Sequence, residues 1–211
     1  MFYNRCLLSF ILVFIFAFSV YSQQNDSSLN GRFVGITFSS FGDNELVRFE
    51  DDLVGFPGTS GKHFYTVGLD YLVALNKTFD VETGIEYSRH KMMVDPNLPP
   101  SMDRSEYPIY LNILTVPVAA RVNFLKYFFF SAGGMLNLDV SGSDGADSQT
   151  GLGACVSLGV RYNFEPGISA FINPYMKAVG LLPFVPDDYH QRLMESGWRF
   201  GILYRLDEKK D

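Results

Sequence analysis

The sequence predicts an all-β fold, an eight-stranded antiparallel transmembrane up-and-down β-barrel. Three observations carry it. Apolar and polar residues alternate with period two in one segment after another. The connections between those segments are short and long by turns. The polar face of the segments is crowded with Gly, Ser and Ala, whereas the apolar face ends in aromatic rings.

Taken in order, the chain opens with one charge in Met1-Phe2-Tyr3-Asn4-Arg5, then the apolar stretch 7–20, then Ser22 ahead of Gln23-Gln24-Asn25-Asp26. That is the layout of a signal peptide over 1–22 with a small-residue cleavage site. The stretch is short and ends in polar residues, not in a positively charged stop, which argues against an anchoring helix. A short N-terminal segment 23–30, a barrel over 31–206 and a charged tail 207–211 complete the expected division. Cys6 leaves with the signal, so Cys155 has no partner and a disulfide-stapled scaffold is excluded.

Eight strands are expected near 31–41, 62–75, 79–94, 108–125, 127–141, 150–164, 167–182 and 196–206. The first and seventh alternate weakly, and Pro174 calls for a bulge or an edge-like position. In the third, Phe79, Val81, Ile85 and Tyr87 oppose Asp80, Glu82, Gly84, Glu86 and Ser88. In the fifth, Phe128, Phe130, Ala132, Leu136 and Leu138 oppose Ser131, Gly133, Asn137 and Asp139. The sixth is the clearest: every even position from Leu152 to Phe164 is apolar, and every odd position from Gly151 to Asn163 is small or polar. The eighth sets Trp198, Phe200, Ile202, Tyr204 and Leu206 against Gly197, Arg199, Gly201 and Arg205. Side chains alternate across a strand, so each segment has one greasy and one polar face.

Asn76-Lys77-Thr78, Lys126 and Glu165-Pro166-Gly167 are tight connections, whereas 42–61, 95–107, 142–149 and 183–195 are long. Starting from an exported N-terminus, every short turn faces the periplasm and every long loop faces outward. A lipocalin-like barrel in water would hide its apolar face inside. The small residues of the polar face suit a crowded lumen better than a solvated surface. The apolar face also ends in aromatics: Phe79, Phe124, Phe128, Phe164 and Tyr204 near the short turns, and Phe38, Tyr65, Tyr87, Tyr110 and Trp198 near the long loops. These ten are the expected aromatic girdle. Aromatics reach 16% of 211 residues, with 20 Phe, as a lipid-facing belt requires.

By parity the lumen receives Asp70, Asp80, Glu82, Glu86, Arg121, Asp139, Arg161, Lys177, Arg199 and Arg205. Unpaired buried charge is costly, so these ten are expected to form a network of ion pairs, with Arg161 and Arg199 each reaching a carboxylate. A lumen filled in this way speaks against a wide diffusion pore.

The chain resembles the Bacteroidota-type outer-membrane β-barrel family, the PorT-like or porin-family small barrels. The resemblance rests on Gln23 after the cleavage site and on Tyr110-Leu111-Asn112-Ile113-Leu114-Thr115-Val116-Pro117 leading into Ala120-Arg121-Val122-Asn123-Phe124. It rests also on Gly151-Leu152-Gly153-Ala154 and Gly159-Val160-Arg161-Tyr162. It spans roughly 30–206 and implies a Gram-negative outer-membrane location and an accessory role in protein secretion. The sequence departs from the usual barrel ending, since Tyr204-Arg205-Leu206 is followed by Asp207-Glu208-Lys209-Lys210-Asp211.

Chemical motifs are absent: there is no phosphate-cradling loop, zinc spacing or nucleophile elbow, so no catalytic, cofactor-binding or metal residues are expected. The acidic run from Asp43-Asn44-Glu45 to Glu50-Asp51-Asp52 lacks a calcium-loop spacing. His63, His90 and His190, with Ser88 or Ser196 and Asp103 or Glu195, sketch an outer-leaflet hydrolase; a Ser–His hydrogen bond with a carboxylate behind it would decide. Net charge is −6 with no basic run, which excludes nucleic acid. The expected protein is non-enzymatic. It sits among outer-membrane lipid and lipopolysaccharide, with a structural or partner-binding role in the cell envelope. Its alternatives are a secretion accessory that meets other envelope proteins, or a narrow pore.

Overall fold

Each strand is followed by its antiparallel neighbour, and the last returns to the first. The computed structural model describes residues 31–47, 58–96, 105–142, 147–164, 167–184 and 191–206. The strands are β1 (Arg32–Val47), β2 (Gly58–Ala74), β3 (Phe79–Asp95), β4 (Tyr107–Phe124), β5 (Phe128–Asp139), β6 (Gly151–Asn163), β7 (Ile168–Pro183) and β8 (Arg192–Arg205). They form one closed barrel in sequence order, with β1 paired to β8 from Phe33↔Arg205 to Val47↔Arg192. Over the height where all eight ladders pair, closure leaves no sheet edge, the condition for backbone to cross hydrocarbon. Among the described residues no helix is long and apolar enough to cross a membrane.

Parity sorts the side chains as the alternation requires. Ile36, Leu69, Ile85, Val118, Leu158 and Ile202 are exposed on the outside, Leu69 at 61%. Asp70, Glu82, Glu86 and Arg121 are buried inside. An exterior this apolar around a polar interior inverts a water-soluble barrel, and lipid is the medium that fits it.

β1, β2 and β8 run further toward the long loops than the sequence predicts, to Val47, from Gly58 and from Arg192. The reason is a reversal of polarity above the belt. There Leu46, Met92, Leu111 and Leu193 point inward and are buried, while Asp43, Glu45, Arg89 and Lys91 lie on the other face. A pattern that changes sign, punctuated by Gly42, Asp43, Asn44 and Gly61, reads as loop. In three dimensions it is a sheet that continues above the apolar belt.

Pro174 needs no bulge. Its register to β6 is constant from Ser157↔Tyr175 to Val160↔Ile172, and the ladder skips the two pairs between. Pro117 does the same on β4, where the β3 ladder skips between Thr83↔Val118 and Glu86↔Thr115. The Thr83 hydroxyl donates to the Pro117 carbonyl at 2.8 Å. A missing N–H is tolerated where a local gap leaves no ladder bond to lose. The β1–β2 ladder runs only from Arg32↔Val73 to Ser39↔Thr66. Beyond it, register shifts on both sides of the seam, between Ser39 and Phe41 on β1 and between Gly61 and His63 on β2. The Ser40 hydroxyl bridges the seam to the Phe64 carbonyl at 3.1 Å.

The short connections are built locally. Asn76 folds its side chain back to accept from the backbone N–H of Thr78 (2.8 Å) and Phe79 (2.9 Å), an Asx-type turn. Between β4 and β5, Leu125 adopts φ 54°, a left-handed conformation in a residue with a bulky side chain.

Candidate functional site

The lumen is layered. Near the short turns, Phe33, Leu72, Phe129, Phe171 and Leu203 form an apolar floor. At the long-loop end, a second cluster that includes Leu46, Met92, Ile113, Met135 and Leu193 forms a roof. The charged residues lie between and around these layers. Glycines make room for the floor: a side chain at Gly159 would collide with the Phe129 ring, and one at Gly201 with the Phe171 ring. The Phe129 and Phe171 rings meet edge to face, 6.0 Å between centroids.

Above the floor, Glu82 accepts from Arg121 at 2.5 Å and from Arg199 at 2.7 Å. Arg199 reaches on to Glu86 at 3.4 Å, and Lys177 donates to Glu86 and lies 4.0 Å from Glu195. Two carboxylates thus bridge three cations contributed by β4, β7 and β8. Arg121, 1% exposed, lies 4.1 Å from the Phe129 ring centre and 5.4 Å from that of Phe171. Arg199 lies 5.4 Å from the Phe171 ring centre. Aromatic faces therefore carry part of the charge that carboxylates do not meet.

At the short-turn mouth, Asp80 lies 3.5 Å from Arg161 and accepts from Asn123 at 2.8 Å, while Arg161 and Arg205 face the Phe33 ring. Asp70 is buried, and among the described residues it meets only the Thr37 hydroxyl, at 3.4 Å, and is in no ion pair. Asp139 is elsewhere. It accepts from Ser141 and from the Gln149 backbone, tying the outer end of the β5–β6 hairpin. The structure thus brings together Glu82, Glu86, Arg121, Lys177 and Arg199, pairs Asp80 with Arg161, and leaves Asp139 apart.

Sequence reading missed the upper tier. Glu195, assigned to a loop, points inward from β8 and accepts from the Tyr175 hydroxyl at 2.5 Å; Tyr175 in turn meets Ser39 at 2.7 Å. His90, fully buried, stacks on Phe64 and lies 3.1 Å from the Ser88 hydroxyl and 3.3 Å from Glu195. Serine, histidine and carboxylate are therefore adjacent, but both contacts use the same ring nitrogen, Nε2. The other, Nδ1, faces the Asn44 amide at 3.3 Å. A nucleophilic relay needs the serine on one nitrogen and the carboxylate on the other. This arrangement holds the imidazole as a packed, hydrogen-bonded part of the interior. His63 faces outward and Ser196 lies on the wall of β8, while His190 and Asp103 are outside the described residues.

Of the expected girdle, Phe38, Tyr65, Phe79, Tyr110, Phe128, Phe164, Trp198 and Tyr204 are exposed on the outer wall, and Tyr87 and Phe124 are half-buried there. Tyr65 and Tyr87 lie 6.4 Å apart across β2–β3, and Phe124 stacks on Phe128 across β4–β5. Among the described residues no group of three or more His, Cys, Asp or Glu could hold a metal ion. The expected signal peptide over 1–22, the segment 23–30 and the tail 207–211 fall outside the described residues.

Apolar wall, closed sheet and packed charged lumen together define a membrane β-barrel of the outer-membrane fold. No protein-family model and no curated protein sequence matches the chain. Among solved structures it is similar to the outer membrane protein AlkL, determined in lipid bilayers, with a TM-score of 0.51 and 13% identity over 90% of this chain and 98% of that one. It is similar also to the outer membrane protein OprG from Pseudomonas aeruginosa, with a TM-score of 0.48 and 11% identity over 85% and 97% of the two chains.

Proposed function

We propose that this chain is an exported, non-enzymatic integral protein of the outer membrane that stabilises the envelope or presents its outer end to partners. The observation that supports this most is the state of the lumen. Phe33, Leu72, Phe129, Arg121, Ile113 and Leu193 are each at most 1% exposed. Residues lining a water-filled channel would be wetted, so the interior serves as a scaffold and not as a conduit. What is left for function is the outer end, where the strands rise past the belt and carry four connections. The cleaved signal over 1–22 supplies the export route, and lipid and lipopolysaccharide are the surroundings.

The test is fractionation with gel migration before and after boiling, followed by bilayer conductance. The protein should co-sediment with outer membranes, migrate faster unboiled, and give no open-channel steps. A soluble periplasmic protein, or steady conductance, would overturn the reading. The likeness of 110–124 to the PorT-like barrels favours one particular partner class, the envelope subunits of a secretion machine. Deleting the gene should then abolish secretion of cargo, and the barrel should co-purify with those subunits.

A further inference from the structure

The sequence has no basic run, yet the barrel assembles one. On β3, Arg89 and Lys91 are two residues apart and so share the outer face, roughly 6.7 Å from one another. On β2, His63 stands directly opposite Lys91, and Tyr65 opposite Arg89. The register shift between Gly61 and His63 inserts Lys62, exposed, at the same height. Three cations and an imidazole therefore crowd two adjacent strands. Like charges side by side across strands are destabilising unless an anion joins them. None of the four has an ion pair among the described residues. The acids nearest along the neighbouring strands, Asp43, Glu45, Asp95 and Glu106, make no such pair with them either.

The height of the patch says what the anion is. Arg89 lies 4.8 Å from the Tyr110 ring centre, Tyr65 stands directly opposite Arg89, and Tyr87 lies two residues below on β3, at the upper edge of the belt. Below these, Val67, Leu69 and Ile85 present an apolar wall. Tyrosines of a girdle sit at headgroup level. A ligand for this surface has a phosphate at the height of Arg89 and acyl chains running down β2–β3. Guanidinium and ammonium groups hold a phosphate by charge-assisted hydrogen bonds, Arg with two parallel ones.

We infer that the outer wall of β2–β3 binds a net-anionic lipid of the outer leaflet that carries phosphate monoesters, through Lys62, Arg89 and Lys91 with His63 beside them. The inference rests on the outer-membrane reading above. The experiment is native mass spectrometry of the purified full chain exchanged from detergent containing phosphorylated lipid A or phosphatidylcholine, each with and without millimolar inorganic phosphate. Wild type should retain lipid A in preference to phosphatidylcholine, and inorganic phosphate should not displace it. K62Q/R89Q/K91Q should lose that preference, by about fivefold per charge removed. Arg89→Lys should keep most of it, and Arg89→Gln alone gives the same direction should the triple variant fail to fold. Equal retention of the two lipids, an unchanged preference in Arg89→Gln, or displacement by inorganic phosphate would each overturn the inference. Gel migration before and after boiling is read on the same samples. A heat-modifiable barrel without lipid preference sinks this inference alone, whereas a protein without heat-modifiable migration sinks the reading beneath it.

Discussion

The Arg121 guanidinium lies 4.1 Å from the centre of the Phe129 ring, so the charged middle of the barrel rests directly on its aromatic floor. One face of that guanidinium is served by π-electrons and one edge by Glu82. Neither partner alone would make burial of an arginine affordable in a space closed to water.

Glu82 is the hinge of the network, because it meets both Arg121 and Arg199. Glu82→Gln leaves two buried cations short of a carboxylate and should destabilise the barrel by about 3–5 kcal/mol. Urea unfolding in lipid vesicles measures this. A midpoint within experimental error of wild type would show that the network is ornamental.

Phe129→Ala removes the floor under Arg121. The cost should be about 3–5 kcal/mol, the usual range for truncating a buried phenylalanine. Water should then enter the short-turn mouth, read as faster amide exchange on the inward strand positions around Ser131.

Gly159→Val tests the same floor from the other side, since its side chain would occupy the place of the Phe129 ring. Overpacking of this kind should cost about 1–3 kcal/mol. Pairing it with Phe129→Ala should recover part of the loss, and strict additivity of the two would contradict the packing described.

Leu125→Gly should stabilise the β4–β5 hairpin. Its left-handed backbone at φ 54° costs about 1–2 kcal/mol in a non-glycine residue. Glycine gives back about 0.5–1 kcal/mol in chain entropy, so a small net gain in unfolding midpoint is expected.

Ser88→Ala should leave ester hydrolysis by the purified protein at the buffer rate, indistinguishable from wild type, and a fluorophosphonate should not label Ser88. The reason is that Ser88 and Glu195 share one nitrogen of a fully buried His90. Labelling at Ser88 would contradict this.

The closed sheet was legible because lipid imposes one rule on every membrane-crossing strand, and that rule is the period-two alternation seen from Leu152 to Phe164. Segments with inward aromatics were harder. Phe33 and Phe171 face the lumen, so β1 and β7 show apolar residues on both sides and their alternation blurs. Glu195 was hidden for a different reason. Above the belt the two faces exchange polarity, and Leu193 inward beside Arg192 looks like loop in a linear reading. The basic patch was invisible altogether, because register brings Lys62 and His63 to Lys91 across nearly thirty residues of chain. Charges could be placed in the lumen by parity, but parity gives no height. That is why Asp139, on the right face, sits too far up β5 to meet the arginines.

The chain holds a single tryptophan, Trp198, 48% exposed on the outer wall opposite Phe41 and Pro174. Its fluorescence in vesicles containing brominated lipids tests directly which medium the apolar wall touches. Bromines placed high on the acyl chain should quench it strongly and bromines near the bilayer centre less. Emission that no bromolipid quenches, but that aqueous iodide quenches fully, would mean the wall faces water.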